Sequence, residues 1–224
     1  MQKRKIIIGT YDTAADGLWT LTAWSFSKAI ANESYADVPG HDGPLDLSTA
    51  LTDGEPYYDS RTFEAVFESS EGSRLEREER INRMINKLDG WRFNIILPDD
   101  PLHYINGRVQ VERLYNDPAH ASVRVSATCE PWRYNNSETV VGLTAKAEEQ
   151  SAVLINNGRR SVVPHITVTG GTVNLIYGID GQEYTWAISP GDYLIADIYL
   201  KNGASPIRYS GNGQIIFTYR EAVL

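Results

Sequence analysis

The chain has 224 residues, 42% hydrophobic and 22% charged, a composition that allows a large buried core and argues against global disorder. Lys+Arg 21 against Asp+Glu 29 leaves a formal charge of −8 and a pI of about 5.0, which disfavours a general binder of phosphate backbones. A single cysteine, Cys129, excludes an intrachain disulfide and a thiolate metal site of its own.

Lys3-Arg4-Lys5 precedes Ile6-Ile7-Ile8, but the apolar run stops at Gly9-Thr10. It is too short for a signal-peptide core, and no small-residue cleavage site follows. No run approaches the ~20 apolar residues of a membrane span. The chain reads as one without a secretion signal or a membrane segment.

Tyr, Trp and Phe sit beside many Val, Ile and Thr, which is strand composition. Residues 19–26 alternate apolar and polar as a half-buried strand does. Residues 32–56 form a long arm rich in Gly, Pro, Asp and Ser, with turns at Val38-Pro39-Gly40 and Asp42-Gly43-Pro44. Residues 57–68 read as a long strand. The exception to the β pattern is 74–88. Ser73 and Glu76 have capping-box spacing, Ile81, Met84, Ile85 and Leu88 form one stripe, and Gly90 supplies the stop. A strand at 91–97 follows, ended by Pro98-Asp99-Asp100-Pro101. Tyr104–Leu114 and His120–Cys129 then form a long hairpin around Asn116-Asp117-Pro118.

The character changes near 131–138, a candidate domain boundary. Beyond it the strands are short: 140–146, 151–156, 163–168, 173–177, 183–188, 193–199, 205–209 and 214–220. Asn156-Asn157-Gly158, Thr169-Gly170-Gly171, Asp180-Gly181, Pro190-Gly191, Asn202-Gly203 and Gly211-Asn212-Gly213 separate most of them. Such spacing reads as a sandwich or jelly-roll, with Pro164 and Pro206 marking edges or strand starts.

Candidate chemistry is sparse. Asp99-Asp100, Glu78-Glu79 and Glu148-Glu149 are sequence neighbours whose side chains point apart. They read as solvated surface and turn residues. His41, His103, His120 and His165 have no metal-ligand spacing. Cys129 reads as a small strand residue, and no Gly-x-Ser-x-Gly elbow exists. Asn156-Asn157-Gly158-Arg159-Arg160 reads as a solvated hairpin tip. Tyr177, Tyr184, Trp186, Tyr193, Tyr199, Tyr209 and Tyr219 read as core and sheet packing, although exposed rings there would stack on sugars. No catalytic residue, metal site or cofactor is expected.

Three stretches resemble the phage distal tail proteins (Dit), hub subunits at the tail tip of siphophages. The first is Trp24-Ser25-Phe26 with Val38-Pro39-Gly40-His41-Asp42-Gly43-Pro44-Leu45-Asp46-Leu47-Ser48. The second is Tyr57-Tyr58-Asp59-Ser60-Arg61-Thr62-Phe63-Glu64 with the helix and Leu88-Asp89-Gly90-Trp91. The third comprises Leu154-Ile155-Asn156-Asn157-Gly158, Val162-Val163-Pro164, Ile166-Thr167-Val168 and the segment 198–224.

The resemblance implies a mainly β fold with one helix in the first half. An N-terminal ring-forming β-domain (1–134) with an extended hairpin or arm would precede a C-terminal galectin-like β-sandwich (139–224). It implies a non-enzymatic hexameric ring that joins the tail tube protein to tail-tip or baseplate proteins of the virion, assembled in the host cytoplasm. Self-association is expected at Val38, Pro39, Gly40, Asp42, Tyr57, Tyr58 and Arg61. The alternatives are a carbohydrate-binding module that recognises a host-surface glycan and a sugar-active jelly-roll enzyme. Neither nucleic-acid nor membrane binding is expected.

Overall fold

The computed structural model describes every residue except 1–3, 41, 51, 53, 117, 118 and 180. His41 and the turn positions Asp117, Pro118 and Asp180 therefore lie outside the described residues. The chain divides into two compact units, Met1–Arg133 and Tyr134–Leu224.

The first unit contains β1 (Ile7–Ile8), β2 (Tyr11–Asp12), β3 (Thr20–Phe26), β4 (Tyr35–Ala36), β5 (Leu45–Asp46), β6 (Arg61–Ser69), α1 (Arg74–Leu88), β7 (Arg92–Leu97), β8 (Asp100–Asn116) and most of β9 (Ala121–Asn135). Its main sheet has the order β2-β1-β7-β8-β9-β6-β3. Alternation decides which face is covered. Phe63, Ala65 and Phe67 of β6 point inward while Thr62, Glu64 and Glu68 are exposed. Val123, Val125, Ala127 and Cys129 of β9 do the same beside them, with Phe63 opposite Ala127.

Helix α1 covers this apolar face. Ile81, Met84 and Leu88 join the core that contains Trp19, Tyr11, Phe63 and Phe67. Each such side chain contributes about 1.5–3 kcal/mol by leaving water. The helix has the bounds its stripe and stop signals predict. Ser73 Oγ accepts from the Glu76 N–H, and Glu76 Oε2 accepts from the Ser73 N–H at 2.6 Å. Gly90 takes φ +80°, a conformation that favours glycine.

Three expectations need correction here. The strand placed at 57–68 starts at Arg61. Tyr57 and Asp59 instead pair with the start of the arm, through the Asn32 N–H to Tyr57 O and the Asp59 N–H to Ile30 O. Pro98-Asp99 is a tight turn rather than an end, since Leu97 faces Asp100 across it. The long hairpin therefore starts at Asp100 and its second strand runs to Asn135.

The second unit contains β10 (Thr139–Thr144), β11 (Gln150–Asn156), β12 (His165–Thr169), β13 (Val173–Ile179), β14 (Gln182–Ile188), β15 (Gly191–Leu194), β16 (Gly203–Gly211), β17 (Gln214–Tyr219) and β18 (Ala222–Val223). Two four-stranded sheets, β10-β17-β12-β15 and β11-β16-β13-β14, form a β-sandwich. Both contribute to one core, with Ile166, Ile215 and Phe217 from one and Leu154, Leu175 and Ile207 from the other.

The strand expected at 193–199 stops at Leu194. Ile198 is fully buried outside any strand, in a turn closed by its N–H to Ile195 O. Pro206 lies in a strand with neighbours on both flanks, not in an edge strand. At Pro206 only β11 is paired, because the ladder to β13 begins at Ile207, so a missing N–H is tolerated.

Candidate assembly surface

Residues 27–60 form an arm that leaves the sheet after β3 and returns at β6. A buried arginine closes its root. Arg61 Nε donates to Ser27 O at 2.6 Å and Nη1 to Pro131 O at 3.2 Å, and the guanidinium sits 3.6 Å from the Phe26 ring centroid. Burial, then the charge of Arg133, lowers its pKa from the usual guanidinium value. Ser27 and Thr62 seal the same junction with a reciprocal pair, Ser27 N–H to Thr62 O at 2.9 Å and Thr62 N–H to Ser27 Oγ at 2.8 Å. Tyr58 packs edge-on against Trp132, ring centroids 5.4 Å apart.

Beyond the root the arm narrows to the β4–β5 ribbon, with Ala36 opposite Leu45 and Tyr35 opposite Asp46. The Leu47 N–H to Ser34 O bond and the Ser34 N–H to Ser48 Oγ bond extend it. Cross-strand partners share a face, and residues two apart return to it. Val38, Ala36, Leu45 and Leu47 therefore lie on one side, while Tyr35 and Asp46 lie on the other. Glu33, then Asp46, pushes the Tyr35 hydroxyl above the usual tyrosine range, so that second side is acidic. Among the described residues, none of the ribbon's apolar side chains belongs to the core of the unit. Val38, Leu45 and Leu47 keep 44%, 42% and 39% of their surface in water, and Ile30 and Tyr57 keep 65% and 60%.

The seven residues expected at an assembly surface thus separate. Val38, Pro39, Gly40 and Asp42 are exposed at the ribbon's end, with Gly40 at φ +85° in open space. Tyr57 is exposed and Tyr58 half-buried at the root. Arg61 is buried, with Nε and Nη1 bonded to carbonyls inside the subunit, so it holds the root. Ile30, Tyr35, Leu45 and Leu47, exposed on the same arm, were not among these candidates. Their apolar character in a Gly/Pro/Asp-rich segment was the available signal. The β8–β9 hairpin is tied to α1 instead, by Arg113–Glu78 at 2.7 Å and the Val111 N–H to Asp89 Oδ1.

Other chemistry is placed as follows. Among the described residues, no group of three or more His, Cys, Asp and Glu could hold a metal ion. His103 Nδ1 lies 2.6 Å from Asp100 Oδ1, whose other oxygen accepts from Arg133 at 2.9 Å. Cys129 is buried against Gly107, where an added Cβ would meet Sγ at 2.5 Å. Burial pushes its thiol up to about 12. The Asn156–Arg160 turn is more than a solvated tip. Asn156 is fully buried and donates to Arg160 O and Leu200 O, and buried Glu221 accepts from the Asn157 N–H. Of the aromatics in the second unit, Tyr177, Tyr209 and Tyr219 are buried in the core and Tyr184 is exposed.

No protein-family model matches the sequence, and no curated protein does. Among solved structures, the chain is similar to the Dit protein of phage SPP1, described as a paradigm of the hub adsorption apparatus in phages that infect Gram-positive bacteria. The TM-score is 0.68 at 15% identity, over 98% of this chain and 99% of that one. The chain has the Dit fold along its whole length.

Proposed function

We propose that this chain is a structural hub subunit of a phage tail tip, without enzymatic activity, that joins the tail tube protein to tail-tip or baseplate proteins of the virion. The observation that carries the reading is the full-length match: both units of the chain, in sequence order, align with a hub adsorption protein. Fold alone does not define function. The arm adds an independent reason, because a thin ribbon with an uncovered apolar face calls for a partner.

The first unit would form a hexameric ring through Val38, Pro39, Gly40, Asp42, Tyr57 and Tyr58, with Arg61 holding the arm's root in place. The second unit, a galectin-like sandwich in this reading, would lie outside the ring. Closing a ring requires a heterologous interface, in which two different patches of each copy meet. Light scattering on the purified protein, with negative-stain images of the same fraction, tests this. A ring of six copies of 25.0 kDa weighs about 150 kDa and has an open channel. Deletion of 34–47 should leave a folded monomer. A protein that stays at 25.0 kDa at all concentrations and on purified tail tubes would refute the ring.

A further inference from the structure

The β1–β7 end of the sheet carries a groove. Ile7 of β1 faces Ile96 of β7 on the side of the sheet away from the core, because their neighbours Ile8 and Ile95 point inward. With Pro98 and Pro101 they line a cavity of about 420 Å³, rimmed by Arg4 and Lys5. Leu102, next in sequence, is 74% exposed. Lys5 is engaged by Asp12 at 2.6 Å, whereas Arg4 only approaches Asp99, at 3.9 Å, and is largely in water.

Arm and groove are complementary. The ribbon presents Val38, Leu45 and Leu47 on one face and an acidic opposite face. The arm holds Glu33, Asp37, Asp42, Asp46, Asp53, Glu55 and Asp59 against Lys28 alone, so it carries most of the chain's −8. Its root is at β3 and β6, and the groove is at β1 and β7. The sheet curls so that Trp19, just before β3, bonds Thr13 beside β2, whereas the arm leaves from the far end of β3, after Phe26, and among the described residues no arm residue lines the groove of its own subunit.

We infer that the apolar face of the arm of one copy seats in the Ile7–Ile96–Pro98–Pro101 groove of a second copy. This rests on the ring reading and names the two patches that the ring would join. The arm and the groove are two different patches of each copy, so their contact is head-to-tail and can propagate around a closed ring. Burial of three aliphatic side chains drives the contact, and the net negative charge of the arm steers it toward Arg4.

Cross-linking tests the pairing directly. Leu45→Cys and Ile96→Cys are purified separately, mixed, and oxidised with copper phenanthroline. The native thiol is buried and its ionisation suppressed, so it stays silent. A disulfide-linked dimer should form in the mixture and not with either variant alone. Ile96→Glu should weaken self-association about tenfold at unchanged circular dichroism, since it places a carboxylate against an acidic arm, and Ile96→Val should leave it unchanged. Oligomers by light scattering without the mixed disulfide would overturn the groove and leave the ring standing. A mixed disulfide from a protein of monomeric mass would uphold the groove and count against ring closure. Monomers without cross-link at high concentration would reject both.

Discussion

Arg61 anchors the arm by a means sequence alone does not reveal: a buried cation satisfied by carbonyls instead of a carboxylate. Arg61→Ala leaves Ser27 O and Pro131 O without their donor. It should cost about 2–4 kcal/mol, measured by urea unfolding at pH 7. A loss under about 0.5 kcal/mol would show that the junction holds without it. Cys129 supplies a pH test. Burial raises its folded pKa from the ordinary thiol value of 9.0 to about 12, so between those values the unfolded chain sheds a proton that the folded chain keeps. Stability therefore falls as pH rises, by on the order of 1 kcal/mol per unit across that window. Tyr11, Tyr177 and Tyr219, also raised by burial, act with the same sign at the upper end. Cys129→Ala should cost about 1 kcal/mol at pH 7 from lost packing yet flatten the alkaline slope. An unchanged slope between pH 9 and 11 would contradict the assignment.

Helix α1 was legible to the residue because its signals are local. The cap, the stripe and the glycine stop act within a few turns and need no knowledge of the rest of the chain. Ser73→Ala should destabilise the first unit by about 1 kcal/mol. The Ser73 backbone N–H, then its side chain, holds the Glu76 carboxyl below the usual carboxylate range. The stabilisation from that pairing is present above the ordinary carboxylate pKa and is lost on acidification through the depressed value. Glu76→Gln should therefore shrink the stability difference between pH 7 and pH 3, read by thermal unfolding. The arm's β4 and β5 escaped notice because each has two residues, too few for alternation to register against Gly and Pro. Their cross-strand pairing creates the apolar face, and pairing is not a local property.

At the scale of the molecule, the two cores share no residue. Phe217→Ala should therefore lower one thermal transition, by about 3–5 kcal/mol for the second unit, and leave the other in place. Calorimetry together with tryptophan fluorescence separates them, because Trp19, Trp24, Trp91 and Trp132 belong to the first unit and Trp186 to the second. A single transition that shifts as a whole would show that the units unfold as one. The full-length Dit fold and the candidate arm were visible as a resemblance. Of the arm's residues, Val38 and its neighbours stood out by turn chemistry and the exposed Leu45 and Leu47 did not, while the candidate Arg61 is buried at the root.

Periodicity and turn residues determined by themselves that this is a β-rich chain with one helix, where that helix begins and ends, and that a long arm precedes β6. These are contests between neighbours in sequence, settled over a few ångströms. Tertiary structure decided the strand order, the partition of the second unit into two sheets, the burial of Arg61 and Asn156, and the curl that brings Trp19 against Tyr11 and Thr13. Those outcomes depend on which distant residues exclude water from each other, and burial is a property of the assembled fold rather than of any segment within it.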